Sequence, residues 1–526
     1  MNKTRMLGTA LLLMSAAAAR GQDIAAFTDA AGSAVRYTVA PVHALRACAS
    51  LRTSPPGGPT ILSATPVPAA NGVPAHCRVD GMIAPEIRFQ VNLPDQWNRR
   101  FYMFGNGGYA GETADTPPKP LYRDHALAAG FATAWTNTGH DARREPLASF
   151  ATSEAKLVDY AWRAVHLTAV TAKGLMAAYY GRPAATSYWD GCSTGGRQGL
   201  MEAQRFPLDF DGVLAGAPVQ RFVDSQVVGL WNGRAVSGSG LTLDKLKTVG
   251  TAVYKMCADP GGLIADPRRC GFDPARDVAQ CPPGTDDGSC LTSGQVDALK
   301  KVYGGVVSRG QPYFFGYAVG AEGPGRSATG QGRVESGWDE WLLGRNGAPS
   351  RQLLYGEAFL RYLASPAPDP AATAAGFDFD EGPGRLGAAH ALLDADDPNL
   401  SAFRRHGGKL ILYHGWADTA LTPYMTIDYF ARAAAAAGPE ADDSLRLYMV
   451  PGMAHCGGGL ATDRFDLMTR LVDWVENGTA PGSVEARRLD DSGAVDRTRP
   501  LCPYPQQAAY NGTGDVQVAG SYTCKP

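Results

Sequence analysis

Residues 188–200, YWDGCSTGGRQGL, constrain this chain more than any other stretch. At their centre Gly191, Cys192, Ser193, Thr194 and Gly195 form G-x-S-x-G, with an apolar run ending at Trp189 before them and a helix-compatible run, residues 197–206, after them. That order predicts a strand, a sharp turn and a helix. The turn residue is forced into a strained backbone conformation, and glycines two before and two after Ser193 leave room for strand and helix to approach. The serine hydroxyl is then pushed into the open, beside the first N–H groups of the helix, which can stabilise an oxyanion. In a chain with 63 glycines the same pattern also arises as an ordinary Gly-rich turn, so other segments must decide between the two.

Two later loops offer partners for Ser193. The strand-like run 409–413 (KLILY) leads into His414, Gly415, Trp416, Ala417 and Asp418, and the run 445–450 (LRLYMV) leads into Pro451, Gly452, Met453, Ala454 and His455. Acyl transfer from a serine needs a base for the hydroxyl proton and a carboxylate to fix that base's tautomer. His455 and Asp418 suit those roles. The chain order Ser, Asp, His is that of the α/β-hydrolase arrangement, in which loops at the carboxyl ends of the strands converge on one edge of the sheet. His140, after Gly139 at another strand end, is the reserve candidate for the base.

Strand-like runs at 100–104, 131–136, 187–190 and 212–216 alternate with helical stretches, the longest at 154–180, while residues 78–93 read as an antiparallel hairpin. This rhythm predicts a doubly wound, mostly parallel sheet covered on both faces. It breaks between residues 220 and 396, where cysteines, aromatics and a Gly-rich run at 320–332 suggest an inserted lid domain. The expected division is a signal peptide at 1–20, a first part of the core at 21–219, the lid at 220–396, and a second part at 397–526 with a disulfide-closed C-terminal extension.

Residues 1–20 carry Lys3 and Arg5, an apolar run too short to span a bilayer, and small residues suited to cleavage, which reads as export. Without them 46 basic residues face 51 acidic ones, a formal charge of −5 that gives no reason to expect nucleic acid, and no later run is apolar enough to cross a membrane. Ten cysteines in an exported chain read as disulfides. Neighbours in sequence suggest Cys48 with Cys77, Cys257 with Cys270, Cys281 with Cys290, and Cys502 with Cys524. Cys192 and Cys456 are left over, one beside Ser193 and one beside His455. If serine and histidine meet, these two lie near enough to pair; otherwise they are buried thiols.

The segments GCSTGGRQGL, HGWAD and GMAHC together resemble the tannase and feruloyl esterase family of secreted serine esterases, which includes mono(2-hydroxyethyl) terephthalate hydrolases. The resemblance runs over nearly the whole mature chain, and paired cysteines beside serine and histidine are a mark of that family. It implies an α/β-hydrolase fold, a triad of Ser193, Asp418 and His455, an oxyanion hole from the backbone of Thr194 and the loop at Gly107 and Gly108, and a lid shaping an aromatic acyl pocket. It also suggests His414 as a pocket wall, although a histidine that ties down its own loop reads equally well. Trp338 and Trp341 are candidates for stacking on an aromatic acyl group, or for one buried helix stripe. The family's lid commonly carries a calcium loop between two cysteines. Here the segment CADPGGLIADPRRC is shorter than that pattern and keeps few ligands, so no cofactor is required and no metal residue is assigned.

The expected function is hydrolysis of a small ester of a hydroxycinnamic or related benzoic acid through an acyl-enzyme. Tannase and terephthalate monoester hydrolase activities are the alternatives, with Thr194 after the serine more like the general aromatic esterases. A serine peptidase and a non-catalytic binder of aromatic ligands are the rivals from further afield.

Overall fold

The structure, a computed structural model, describes residues 26–37, 41–52, 57–322, 324–326, 334–344, 347–490 and 492–526. The expected signal peptide lies outside them, as does most of the Gly-rich run at 320–332.

Nine strands form the central sheet: β1 (Thr60–Val67), β2 (His76–Ile83), β3 (Ile87–Pro94), β4 (Arg100–Phe104), β5 (Ala132–Thr136), β6 (Thr186–Cys192), β7 (Gly212–Gly216), β8 (Lys409–Gly415) and β9 (Leu445–Val450). Their spatial order is β1-β2-β3-β5-β4-β6-β7-β8-β9. The first three strands and β5 pair antiparallel, whereas β5, β4, β6, β7, β8 and β9 are parallel to one another. The hairpin expected at 78–93 is β2 and β3, one strand in from the edge, because β1 pairs outside β2.

The parallel strands are apolar on both sides because both sides are covered. Successive residues alternate between two cores: Phe101, Met103, Leu410 and Leu412 face one, and Tyr102, Phe104, Ile411 and Tyr413 face the other. Helices α1 (Lys119–Ala128), α2 (Ala164–Tyr180), α3 (Thr194–Arg205), α4 (Pro423–Ala437) and α5 (Leu467–Asn477) supply the covers. Val165 and Ala169 of α2, Leu200 of α3 and Tyr429 of α4 pack on the first face, and Ala126 of α1 and Leu471 of α5 on the second. The long helix expected at 154–180 is helical throughout but widens to a π turn at Asp159–Arg163 before α2 begins.

Between β7 and β8 the chain leaves the sheet. The helices Phe222–Val236, Leu243–Cys257, Ser293–Gly304 and Arg351–Tyr362 share a third apolar cluster. That cluster also takes in Tyr109 and Tyr160 from the first half of the core and Leu421 and Met425 from the second. This inserted segment is therefore packed directly onto the loops at the carboxyl edge of the sheet. After α5, two hairpins close the chain, Val484–Leu489 with Val495–Leu501 and Gln507–Tyr510 with Tyr522–Lys525.

All ten cysteines are paired, four in the local pairs suggested by spacing and the fifth joining Cys192 to Cys456 across 264 residues. No helix among the described residues is long and apolar enough to cross a membrane.

Candidate active site

β6 ends at Cys192, α3 begins at Thr194, and Ser193 between them has φ 62° and ψ −122°, a conformation costly for a residue with a side chain. Backbone bonds hold it there. Its N–H donates to Gly216 O (2.9 Å) and its carbonyl accepts from Arg197 N (3.0 Å). Packing requires glycine at 191, where a Cβ would lie 2.6 Å from the backbone of Gly195, and favours it at 195, where one would lie 3.1 Å from Gly105 Cα.

The loops after β8 and β9 bring Asp418 and His455 to the same edge. His455 Nδ1 lies 2.8 Å from Asp418 Oδ2, and Asp418 Oδ1 accepts the N–H groups of Ala420 (2.8 Å) and Leu421 (2.9 Å). Behind the carboxylate, His414 Nε2 lies 3.1 Å from Asp418 Oδ2 but off the line of a good hydrogen bond, while His414 Nδ1 is 2.8 Å from Thr426 Oγ1. Burial alone would raise the pKa of Asp418. The adjacent His455 and His414 outweigh it and hold the carboxyl well below the ordinary range, so it stays ionised.

The Cys192–Cys456 bond, with Cα atoms 6.0 Å apart, ties the residue before Ser193 to the residue after His455. Ser193 and His455 line one cavity of about 450 Å³, together with Thr194, Gly107 and Gly108. The Thr194 hydroxyl donates to Gly108 O, which also accepts from Tyr160 Oη (3.2 Å), so the loop after β4 is pinned to the start of α3. The Gly107 N–H is already engaged, donating to Glu112 Oε2 (3.0 Å).

A family model described as tannase and feruloyl esterase matches residues 71–525. The chain belongs to the tannase and feruloyl esterase family. It is 34% identical to the mono(2-hydroxyethyl) terephthalate hydrolase of Piscinibacter sakaiensis, covering 87% of this chain and 86% of that protein. To feruloyl esterase B of Aspergillus niger it is 30% identical, covering 82% of each. The crystal structure of feruloyl esterase B from Aspergillus oryzae superposes with a TM-score of 0.77 at 25% identity over 91% of this chain and 99% of that one. This family member has the α/β-hydrolase fold and is a carboxylic ester hydrolase.

Not every residue singled out in the sequence reaches the cavity. His414 is fully buried and does not line it, because alternation along β8 turns His414 toward Thr426 of α4 and leaves Tyr413 on the cavity side. Trp341 lines the cavity, with its ring 5.8 Å from that of His455. Trp338 does not; it is 1% exposed in the lid core, its ring 5.3 Å from that of Tyr303. Trp338 immediately precedes the π turn Asp339–Leu343 and Trp341 lies within it, so the single stripe of an α-helix does not form. His140 also lies away from the cavity, stacked 4.1 Å from Phe150 with Nε2 3.0 Å from Tyr109 O, and burial lowers its pKa to about 4.

The cavity lining includes two unlike groups of residues, of which Trp341 is a contact expected from the sequence. One wall is lid and aromatic: Trp341, Tyr355, Tyr109 and Phe222, with Gln226 and Arg351 among them. The other is polar: Lys119, which donates to Glu112 Oε2 (2.6 Å), with Tyr122, Tyr413 and Asp190. Asp190 accepts from Tyr102 Oη (2.8 Å), and burial lifts its pKa to about 7. Two clusters elsewhere bring His and carboxylates together, His166 with Glu202 and Asp209, and Asp224 with His390 and Asp394, but Lys173 bonds the backbone of Asp209 and Arg221 pairs with Asp224.

Proposed function

We propose that this esterase acts through an acyl-enzyme on Ser193 and takes esters of aromatic acids, hydroxycinnamic or related benzoic. The observation that carries the reading is the single cavity in which Ser193 and His455 meet a wall of Trp341, Tyr355, Tyr109 and Phe222. His455, held by Asp418 through Nδ1, takes the Ser193 proton as the hydroxyl attacks the ester carbonyl. The N–H groups of Thr194 and Gly108 receive the oxyanion, Gly107 being occupied by Glu112. His455 then returns the proton to the leaving alcohol and activates the water that releases the acid.

The acyl group lies against the aromatic wall, where a flat ring stacks, and the alcohol points to the polar end at Tyr122, Tyr413 and Asp190. Five disulfides and the apolar leader at residues 1–20 support an exported protein.

One feature favours a second acyl class. The Arg351 guanidinium lines the same wall, 5.5 Å from the Trp341 ring, although it also pairs with Glu340. A cation beside an aromatic slot suits an acid with a second carboxylate, as in a terephthalate monoester.

A fluorophosphonate probe followed by peptide mass spectrometry tests the mechanism: modification at Ser193 is expected, and an unlabelled but folded protein would make this a binder of aromatic ligands. Rates on methyl ferulate and on the hydroxyethyl terephthalate monoester, in wild type and Arg351→Ala, decide the acyl class. Loss confined to the terephthalate ester favours the second reading; equal rates for both proteins favour the first.

A further inference from the structure

The lid loop closed by Cys257 and Cys270 is where the family resemblance places a calcium ion. The residues present do not fit one. Calcium takes six to eight oxygens, and the carboxylates of this loop are Asp259 and Asp266. Asp266 is consumed by a two-pronged pair with Arg268 (2.9 and 2.7 Å) and by Gln507 Nε2 (3.1 Å). Asp259 accepts the N–H of Leu263 (3.0 Å) and faces a different cation, Arg499 of the C-terminal hairpin, at 3.9 Å.

Arg499 is built into this position. Its side chain is 5% exposed, its guanidinium lies 3.8 Å from the centre of the Tyr522 ring, and it donates to Val516 O. The loop accommodates it through Gly261, where a Cβ would fall 1.6 Å from the Arg499 guanidinium. A planar guanidinium stacked on an aromatic ring brings one positive charge to one carboxylate, whereas a divalent ion here would lack most of its oxygens.

The loop matters because it lies between the C-terminal segment and both catalytic loops. The Leu263 side chain lies 3.0 Å from the Cβ position of Gly452, three residues before His455. The Arg268 guanidinium lies 5.3 Å from the Trp416 ring, two residues before Asp418, and donates to Tyr504 Oη (2.9 Å). We propose that Arg499 is a built-in cation for the Cys257–Cys270 loop, replacing a bound calcium ion and holding the loop against the segments that carry Asp418 and His455.

The test is thermal unfolding of the full oxidised chain after exhaustive chelation, with and without millimolar calcium chloride, in wild type, Arg499→Gln, Arg499→Lys and Asp259→Asn. The wild-type Tm is expected to be the same with chelator and with calcium. Arg499→Gln should lower it by about 2 °C or more, and Arg499→Lys by less, since the charge survives while the stacking is weakened. A wild-type Tm that falls in chelator and returns with calcium would overturn the proposal, as would an Arg499→Gln protein as stable as wild type. Should Arg499→Gln fail to fold, Asp259→Asn carries the test: a lowered, calcium-insensitive Tm supports the pair, and an unchanged Tm contradicts it.

Discussion

Cys192 and Cys456 are bonded with their Cα atoms 6.0 Å apart, and each is the chain neighbour of a member of the proposed triad, Ser193 in one case and His455 in the other. Both Ser193 and Cys456 have positive φ, 62° and 63°, so the bond joins two strained turns. The covalent link constrains the separation of the proposed nucleophile and base more tightly than packing of two loops alone.

Removing this bond should therefore cost activity as well as stability. For a closed loop of 264 residues the chain-entropy model gives a loss of about 5–6 kcal/mol. In the Cys192→Ser, Cys456→Ser protein, kcat is expected to fall by about tenfold or more even at temperatures where circular dichroism shows a folded chain, because small misplacements of reacting groups are costly. Full kcat in the folded double variant would contradict this role.

Asp418 and His414 should separate in a kinetic comparison. Asp418→Asn loses the charge that orients His455 and should lower kcat by about three to four powers of ten. The polar contacts of His414 among the described residues are with Asp418 and Thr426, so His414→Gln should cost about one hydrogen bond, roughly tenfold in kcat, with KM unchanged. A KM effect as large as the kcat effect would mean that His414 contacts substrate after all.

The parts of the fold read most faithfully from sequence are those where one physical signal acts alone. Gly212–Gly216 is buried throughout and Leu445–Val450 at every position but Arg446, and their observed limits are those read from the sequence. Thr60–Val67 gives no such signal, since it is an edge strand in which Ala64 is the one buried residue. The loops bearing Asp418 and His455 stood out because each follows a clear strand. His414 and Trp338, each open between a pocket role and a structural one, lie away from the cavity for local reasons, the parity of β8 and a π turn. The polar wall went unread although Asp190 lies in the 188–200 stretch and Tyr413 in the 409–413 run, because no shared spacing links them to Tyr122.

Two buried groups should shape stability against pH in opposite directions. Burial holds His140 at about 4, against about 6.5 in an unfolded chain. Between those values the unfolded chain binds a proton that the folded one refuses, so stability falls as pH drops from 6.5 toward 4. Asp190 is the reverse: raised to about 7 by burial, it is neutral in the folded protein where the unfolded chain ionises, so stability falls as pH rises from about 4 through 7. Denaturant midpoints at pH 4.5, 6 and 8 should show a shallower acid slope in His140→Gln and a shallower alkaline slope in Asp190→Asn. Wild-type slopes in both variants would remove these groups from the account.

Trp341 should be a determinant of acyl specificity rather than of the chemistry. Trp341→Ala is expected to lower kcat/KM for methyl ferulate by about tenfold, the worth of an aromatic pair, while hydrolysis of p-nitrophenyl acetate changes little. Equal losses on both substrates would place Trp341 in the support of His455 instead.

The central claim is that Ser193 attacks an aromatic ester, and the measurement that tests it most directly is hydrolysis of a matched panel by wild type and Ser193→Ala. The panel is methyl ferulate, methyl gallate, the hydroxyethyl terephthalate monoester and p-nitrophenyl acetate. Turnover of at least one aromatic ester by wild type, lost by three or more powers of ten in the folded variant, is the predicted result. Equal rates in the two proteins, or turnover of p-nitrophenyl acetate with none of the aromatic esters, would contradict it.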